Sequence, residues 1–412
     1  MMKLPFAFEF TPSKVMRPGM RYPFCIFYSS CWGSSVFSGE LLVGGSSFSV
    51  IIRLMRKLLS PVLVGSGRGR NVGMNGKQTN IGILDFIPRD KDTTAVDAFD
   101  SSAQLIQYAD QRQLKRYWFA EHHSTPSIFS SSPFLLTAHF AAKTDQIRVG
   151  VGGAMVNNQS TYQMAEKIRT LQAMYPNRVD AGLGKSRSGD AMNDILDRES
   201  FQSDLTYEEK LLATGAFLTS SFPEGHPYAN RLLIPHRVGD QPELFILAGS
   251  ANNVQAAAEM GFGLNYGLFI NSDLEEAQRA IATYREHFRA SAFFSQPHVI
   301  VSLYVVTAYD ASLLPALETA VDYWSLAFKF DKRSVYQLLS VEDAADFPFD
   351  QEEAATLAAM KDQKVVGTPK QVASQLQALK KRLDCDEFMV LNQLPAHIYR
   401  KQLIEIMSEI VI

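Results

Sequence analysis

Cysteine is scarce in this chain, which has only Cys25, Cys31 and Cys385 among 412 residues. Their spacings match neither a zinc site nor a disulfide framework. We therefore expect a protein of the reducing cytosol, with cytoplasmic localisation. Cys385 directly precedes a strand-like segment, and we expect it to be a buried thiol.

The chain also lacks an excess of positive charge and a long apolar run. It has 40 Lys and Arg against 43 Asp and Glu, for a net charge of −3, which excludes the global basic excess typical of nucleic-acid-binding proteins. No uninterrupted apolar run reaches the roughly 18 residues of a membrane-spanning helix. We expect no nucleic-acid or membrane partner. The hydrophobic fraction of 46% is instead sufficient for a large core.

The first 73 residues differ from the rest of the chain. They hold nine Lys or Arg against two acids, a net +7, so the remainder carries −10. They show no sustained apolar period of 2 or 3.6. We predict a boundary near Met74, with an extension over 1–73 and one domain over 74–412. Three interpretations of the extension stay open: a basic targeting peptide, a disordered arm, or sequence upstream of a true start at Met74.

Short β-branched apolar runs alternate with helical spacing from residue 81 onward. Eight runs predict strands at 81–86, 116–121, 147–156, 179–184, 244–248, 263–269, 299–307 and 387–391. Because both faces of each strand must be covered, the pattern favours an α/β protein with a closed parallel (β/α)8 TIM barrel. A doubly wound open sheet is the alternative. The long interval 309–386 contains an acidic, Ala-rich stretch at 341–362, which predicts a helical insertion at the barrel mouth or on the outer ring.

Polar residues that follow the strands are candidate site residues, because barrel sites form at the strand C-termini. They are Asp85, His122 and His123, Asn157, Gly184 with Ser186 and Arg187, and the run from Gly249 to Asn252. Adjacent side chains at a strand end point to opposite faces, so only one of His122 and His123 can face the mouth. His298 precedes its strand, and His226 lies in a Pro-rich loop. We therefore expect no metal site.

The run Gly249-Ser250-Ala251-Asn252 offers small residues and backbone N–H groups at the start of a helix. Such a site favours a phosphate. The alternative is an ordinary N-cap by Ser250 or Asn252. Lys185 and Arg187 in a neighbouring turn favour a phosphate-bearing cofactor.

Four segments carry a resemblance to a known family. They are 117–123 (YWFAEHH), 147–156 (IRVGVGGAMV), 175–184 (YPNRVDAGLG), and 366–369 (VGTP) with 386–388 (DEF). In this order, from about Asn80 to the C-terminus, they resemble the bacterial luciferase-like, flavin-dependent oxidoreductases, in the branch close to alkanal monooxygenase.

The resemblance implies a luciferase-like barrel that binds reduced FMN, with dioxygen adding at the flavin C4a carbon. His122 takes the position of the catalytic histidine, where an imidazole with an ordinary pKa near 6.5 can exchange a proton at cytosolic pH. The cofactor-binding residues it implies are Ala154, Met155 and Asn157 beside the ring and Gly249, Ser250, Ala251 and Asn252 at the phosphate. From their positions after the strands, we add Asp85, Gly184, Ser186 and Arg187 as expected cofactor contacts.

The favoured function is a two-component monooxygenase that oxidises a small organic substrate. No GxGxxG motif follows a strand to bind a nicotinamide cofactor, so we expect a separate flavin reductase to supply reduced FMN, and we expect a homodimer. Two alternatives stay open: hydride transfer with the deazaflavin F420, and a flavin-binding protein without catalytic activity.

Overall fold

The computed structural model describes residues 21–30, 33–42, 79–185, 204–236, 239, 241–329 and 337–411. The chain divides into two units, 1–75 and 76–412. In the first unit, β1 (Arg21–Ser30) and β2 (Gly33–Leu42) form an antiparallel pair with Arg21 opposite Leu42. The sequence analysis predicted no strand there. The residues around the proposed boundary at Met74 lie outside the described part, so that boundary stays a prediction.

The second unit is built on eight parallel strands that close into a barrel. They are β3 (Ile81–Asp85), β4 (Arg116–Phe119), β5 (Arg148–Met155), β6 (Val179–Gly184), β7 (Glu243–Ala248), β8 (Gly263–Gly267), β9 (Val299–Thr307) and β11 (Glu387–Leu391). Each strand pairs with the next, β8 pairs with β9, and β11 pairs with β3. The predicted TIM barrel is confirmed, and the closure excludes the open sheet.

Helices separate the strands. They are α1 (Ala95–Gln111), α2 (Pro133–Ala141), α3 (Thr161–Met174), α4 (Tyr207–Thr219), α5 (Val254–Glu259), α6 (Leu274–His287), α7 (Leu314–Lys329), α8 (Val341–Ala344), α9 (Gln351–Ala359), α10 (Pro369–Leu383) and α11 (His397–Glu409). Side-chain capping fixes several starts: Thr94 begins α1 and Thr206 begins α4, each in a capping box. Among the described residues, no helix is long and apolar enough to cross a membrane.

The predicted helical insertion lies between β9 and β11. It also contains a strand that was not predicted, β10 (Lys364–Gly367), which pairs in parallel with the end of β9. Its apolar run is only Val365-Val366, flanked by Lys364 and Gly367, which is too short to predict a strand from the sequence. Part of the insertion reaches the loop that follows β3, where the Leu338 N–H donates to the Arg89 carbonyl at 2.8 Å. The insertion therefore contributes to the mouth of the barrel.

An ionic layer fills the N-terminal end of the barrel interior. The Arg116 guanidinium donates to Glu387 at 2.5 Å and to Asp180 at 2.6 Å, and it also contacts Glu243 at 3.2 Å. Trp118 lies next toward the mouth, and its indole N–H donates to Asp180 at 2.9 Å. Because this end is packed and charged, the strand C-termini are where a ligand can enter.

Candidate active site at the barrel mouth

His122 lies on the chain that leaves β4 at the mouth. Its backbone N–H donates to the Ser130 carbonyl at 2.9 Å, and its ring centroid is 5.1 Å from that of Phe86. Burial, with a smaller effect of His123, lowers the pKa of His122 to about 4. The ordinary pKa expected from the sequence is therefore corrected: the imidazole is neutral at cytosolic pH, where one ring nitrogen donates and the other accepts.

His123 occupies different surroundings. Its Nε2 is 3.0 Å from Glu121 Oε1, and the second carboxylate oxygen of Glu121 accepts from the Met155 N–H at 2.9 Å. Glu121 is buried, so this carboxylate ties the end of β4 to the end of β5. His123 is thereby held by a structural carboxylate, whereas His122 packs against an aromatic ring.

The ends of β5 and β6 form the wall beside these histidines. The register between the two strands shifts between Gly152 and Ala154, a bulge of the kind that re-aims side chains near active sites. Ala154 and Met155 are buried in this wall. Asn157 lies at its rim, where its carbonyl accepts from Lys210 Nζ at 3.3 Å. A Cβ built on Gly184 would be in van der Waals contact with the Ala154 carbonyl at 3.7 Å and with Leu247 at 3.8 Å, so the ends of β5, β6 and β7 pack together here.

A pocket of about 200 Å³ lies at the ends of β6 and β7. Its lining residues are Lys185, Tyr207, Ile246, Leu247, Ala248, Gly249, Ser250, Asn252 and Asn253. Three of the residues predicted to contact a phosphate, Gly249, Ser250 and Asn252, therefore line one pocket together with the cation Lys185. Lys185 Nζ lies 5.4 Å from the centre of the Tyr207 ring. Whole-ligand sites measure about 300–1,000 Å³, so this pocket has room for one end of a cofactor.

Ala251 does not fit the prediction made for it. Its N–H already donates to Glu276 Oε1 at 2.9 Å, and Glu276 lies in the first turn of α6. The hydrogen bond from Ala251, followed by that from Arg279, lowers the pKa of Glu276. Ala251 offers no free donor, and we remove it from the predicted phosphate contacts. The N-cap of α5 is Asn253, not Ser250 or Asn252.

Asp85 is also placed differently from the prediction. Its carboxylate accepts from the Ile87 N–H at 2.7 Å, from the Ser102 hydroxyl at 2.8 Å and from the Tyr117 hydroxyl at 2.6 Å. Ser102 belongs to α1, so Asp85 points toward the helix layer and away from the barrel axis. We correct its predicted cofactor contact to a structural role.

The remaining predictions are only partly placed. Ser186 and Arg187 lie outside the described residues. Among the residues that are described, no group of three or more His, Cys, Asp or Glu could hold a metal ion. Cys385 is buried as predicted, and burial raises the pKa of its thiol to about 12.

Sequence reasoning missed Tyr207 in the pocket and the linking roles of Glu121 and Glu276. The EHH motif drew attention to Glu121, but its acceptor role depends on the distant Met155. Glu276 and Ala251 are 25 residues apart, and no local pattern connects them.

Comparisons with known proteins agree with this architecture. The family model described as luciferase-like monooxygenase matches residues 79–384. The uncharacterized protein YceB of Bacillus subtilis is 35% identical over 313 residues, covering 76% of this chain and 93% of YceB. The N-acetyl-S-alkylcysteine monooxygenase of the same organism is 32% identical over 226 residues, covering 54% and 67%.

Solved structures give the same result. Apo-MsnO8 has a TM-score of 0.70 at 26% identity, covering 81% of this chain and 97% of that one. The fold is shared by the FMN complex of the oxygenating constituent of 3,6-diketocamphane monooxygenase from Pseudomonas putida, with a TM-score of 0.58 at 19% identity over 80% and 97% of the chains. It is also shared by the coenzyme F420-dependent tetrahydromethanopterin reductase of Methanopyrus kandleri, with a TM-score of 0.56 at 15% identity over 81% and 99%. The chain belongs to the luciferase-like monooxygenase family.

Proposed function

We propose that this protein is a monooxygenase that uses reduced FMN and dioxygen to oxidise a small organic substrate. The observation that carries the proposal is the pocket that brings Lys185 together with Gly249, Ser250 and Asn252 at the same end of the barrel as His122. A cation beside small residues suits the phosphate of FMN. The pocket takes only one end of such a molecule, and the rest of the mouth is available for the flavin ring.

When bound, reduced flavin supplies the electrons that activate dioxygen. The chain supplies the surroundings. Lys185, Gly249, Ser250 and Asn252 hold the phosphate. Ala154 and Met155 form an apolar wall that excludes water from one side. Glu121 fixes the main chain of Met155, and therefore the position of that wall.

His122 handles a proton in this proposal. Because its pKa is about 4, the neutral ring is the resting form, so it acts first as a hydrogen-bond donor or as a base. Its contact with Phe86 restricts the tilt of the ring, which favours one orientation toward the mouth.

The finer parts of the proposal concern partners. The absence of a GxGxxG motif after any predicted strand supports a separate flavin reductase, and the similar FMN-bound structure is itself an oxygenating constituent. We further propose a cytosolic homodimer. F420-dependent hydride transfer is the second candidate, supported by the fold shared with the F420-dependent reductase.

The phosphate contact is tested by measuring FMN and riboflavin affinities in parallel. Ser250→Glu places a carboxylate in the pocket and should weaken FMN binding about tenfold or more, with riboflavin affected much less because it has no phosphate. Ser295→Glu adds the same charge at an exposed site before β9, near the opposite end of the barrel, and should change neither affinity. Equal weakening of both ligands by Ser250→Glu would refute a phosphate site in this pocket.

A further inference from the structure

Arg89 lies in the loop that follows β3, at the mouth. Its main chain is fixed on both sides, because its N–H donates to the Ser127 carbonyl at 2.9 Å and its carbonyl accepts from Leu338 at 2.8 Å. Its half-buried guanidinium is different. Within the described part of the chain, the buried Nε has no hydrogen-bond partner and no ion pair includes Arg89.

The acidic side chains near Arg89 are already engaged. Asp90 accepts from Arg400 at 2.9 Å, and Asp343 pairs with Lys91 at 2.6 Å. A half-buried cation without a partner costs stability. A guanidinium presents a planar fork that matches a carboxylate, so Arg89 is suited to an anion from outside the chain.

Gln393 provides a second, independent observation at the neighbouring strand end. It is only 1% exposed, and neither its amide oxygen nor its amide nitrogen has a hydrogen-bond partner among the residues that the structure describes. Glu387 in β11 points into the barrel toward Arg116. By the alternation of strand side chains, Gln393 falls on the same inner face.

Hydrogen bonds hold these two segments side by side. The Asn392 N–H donates to the Leu84 carbonyl at 3.0 Å, which continues the pairing of β11 with β3. The Ala396 N–H donates to Asp90 at 3.0 Å. Arg89 and Gln393 therefore occupy one sector of the mouth.

This sector also adjoins His122 and lies away from the phosphate pocket. The segment 127–130 joins the two residues, since Ser127 accepts from Arg89 and Ser130 accepts from His122. In the closed strand order, β3 and β7 lie on opposite sides of the barrel. A flavin phosphate held beside β7 leaves the sector at β3 and β11 for a different anion.

We infer that Arg89 and Gln393 bind the carboxylate of the organic substrate, so that the substrates are small organic acids whose oxidised part extends toward His122. The inference rests on the proposed function, because only that function makes the bound acid a substrate. Arg89 supplies the charge, and the Gln393 amide supplies a donor that orients the acid.

The test compares acids with their methyl esters as ligands of the protein loaded with FMN. The probes are octanoate, 3-phenylpropanoate and N-acetylmethionine. In the wild type, at least one acid should bind about tenfold or more tightly than its ester, the scale of one charged hydrogen bond. Arg89→Gln should reduce this preference to below about threefold. Lys91→Gln removes a charge two residues away and should leave the preference unchanged.

Gln393 is tested by a pair of matched substitutions. Gln393→Met should leave the melting temperature of the unliganded protein unchanged or raise it, because it removes unpaired buried polar atoms, and it should weaken acid binding about threefold or more. Gln363 is equally buried and its amide oxygen also lacks a partner among the described residues, but its amide nitrogen donates to the Ser325 hydroxyl at 3.2 Å. Gln363→Met should therefore lower the melting temperature and leave acid binding unchanged.

Three results would overturn the inference: no acid preferred over its ester by the wild type, a preference that survives Arg89→Gln, or an Arg89→Gln variant that loses FMN affinity but keeps riboflavin affinity. The last would assign Arg89 to the flavin phosphate. If the wild type does not bind flavin at all, the proposed function itself is refuted. If Arg89→Gln is insoluble, Arg89→Lys keeps the charge without the fork and should show an intermediate preference.

Discussion

Replacing Arg116 by Met tests how much the ionic layer at the N-terminal end of the barrel contributes to stability. Arg116 is completely buried and is shared by Asp180, Glu243 and Glu387. The substitution keeps an apolar stem and removes the guanidinium. Asp180 would retain Arg148 at 2.5 Å, and Glu387 would retain His298 at 3.2 Å. Glu387 would then lose its main cation, and Asp180 would lose one of its two.

The expected cost follows from the pKa of Glu387. Burial alone would raise this pKa, but Arg116 and His298 lower it from 4.5 to about 2. That difference corresponds to about 3 kcal/mol of stability at neutral pH. Removing one partner of a buried ion pair costs about 3–5 kcal/mol of stability, because the other charge stays buried without it. With an unfolding entropy near 2.1 cal/mol/K per residue over about 330 residues, the melting temperature should fall by about 4–7 °C.

The pH dependence gives the sharper signature. In the wild type, the contribution of Glu387 is fully present above pH 4.5 and is lost as the pH falls toward 2. Without Arg116, burial raises the pKa of Glu387, and protonation then relieves a buried charge that only His298 still compensates. The deficit of Arg116→Met relative to the wild type should therefore shrink as the pH falls from 7 to 5.

Chemical denaturation at pH 7 and pH 5 measures both effects. Lys91→Met is the control, because Lys91 and Asp343 form an exposed pair with side chains 42% and 41% accessible, and the loss of a solvent-screened pair should cost far less than Arg116→Met at either pH. The reasoning fails if Arg116→Met costs no more than Lys91→Met, or if its deficit grows on acidification.

Three further predictions concern the site and the boundary. His122→Ala should lower single-turnover oxidation about 10²-fold with FMN affinity nearly kept, whereas His123→Ala should act on stability through its lost contact with Glu121; equal losses of activity would reverse the assignment. Glu276→Gln keeps an acceptor for Ala251 and removes a negative charge beside the phosphate loop, so FMN affinity should rise about threefold with riboflavin affinity unchanged, while the exposed Glu275→Gln should change neither. Deleting residues 1–73 should leave the melting temperature of the barrel unchanged, and a fall of more than about 5 °C would refute the boundary near Met74.

The barrel could be predicted because its signal is local and repeated. Each buried strand is a short apolar run, and each helix adds its own period, so eight repeats reinforce one another. The strand β10 escaped prediction because its pairing depends on β9, which lies far away in the sequence. The same limit applies to the ionic layer, since Arg116 and Glu387 are 271 residues apart.

The candidate site could be predicted by position but only partly by orientation. Gly249, Ser250 and Asn252 were found because small residues after a strand leave a recognisable pattern. Asp85 was misplaced because both faces of a barrel strand are buried, so the sequence does not show which face a residue joins. The pKa of His122 could not be predicted either, because it depends chiefly on how deeply the folded chain buries the ring.

The most direct test of the account is a single turnover in ¹⁸O₂. The protein is loaded anaerobically with photoreduced FMN and with an acid that binds it, and is then mixed with labelled dioxygen. We predict that the oxidised product contains one ¹⁸O atom, that its yield falls about 10²-fold in His122→Ala, and that reduced F420 cannot replace reduced FMN. A product without ¹⁸O, formed with reduced F420 and independent of dioxygen, would contradict the monooxygenase assignment.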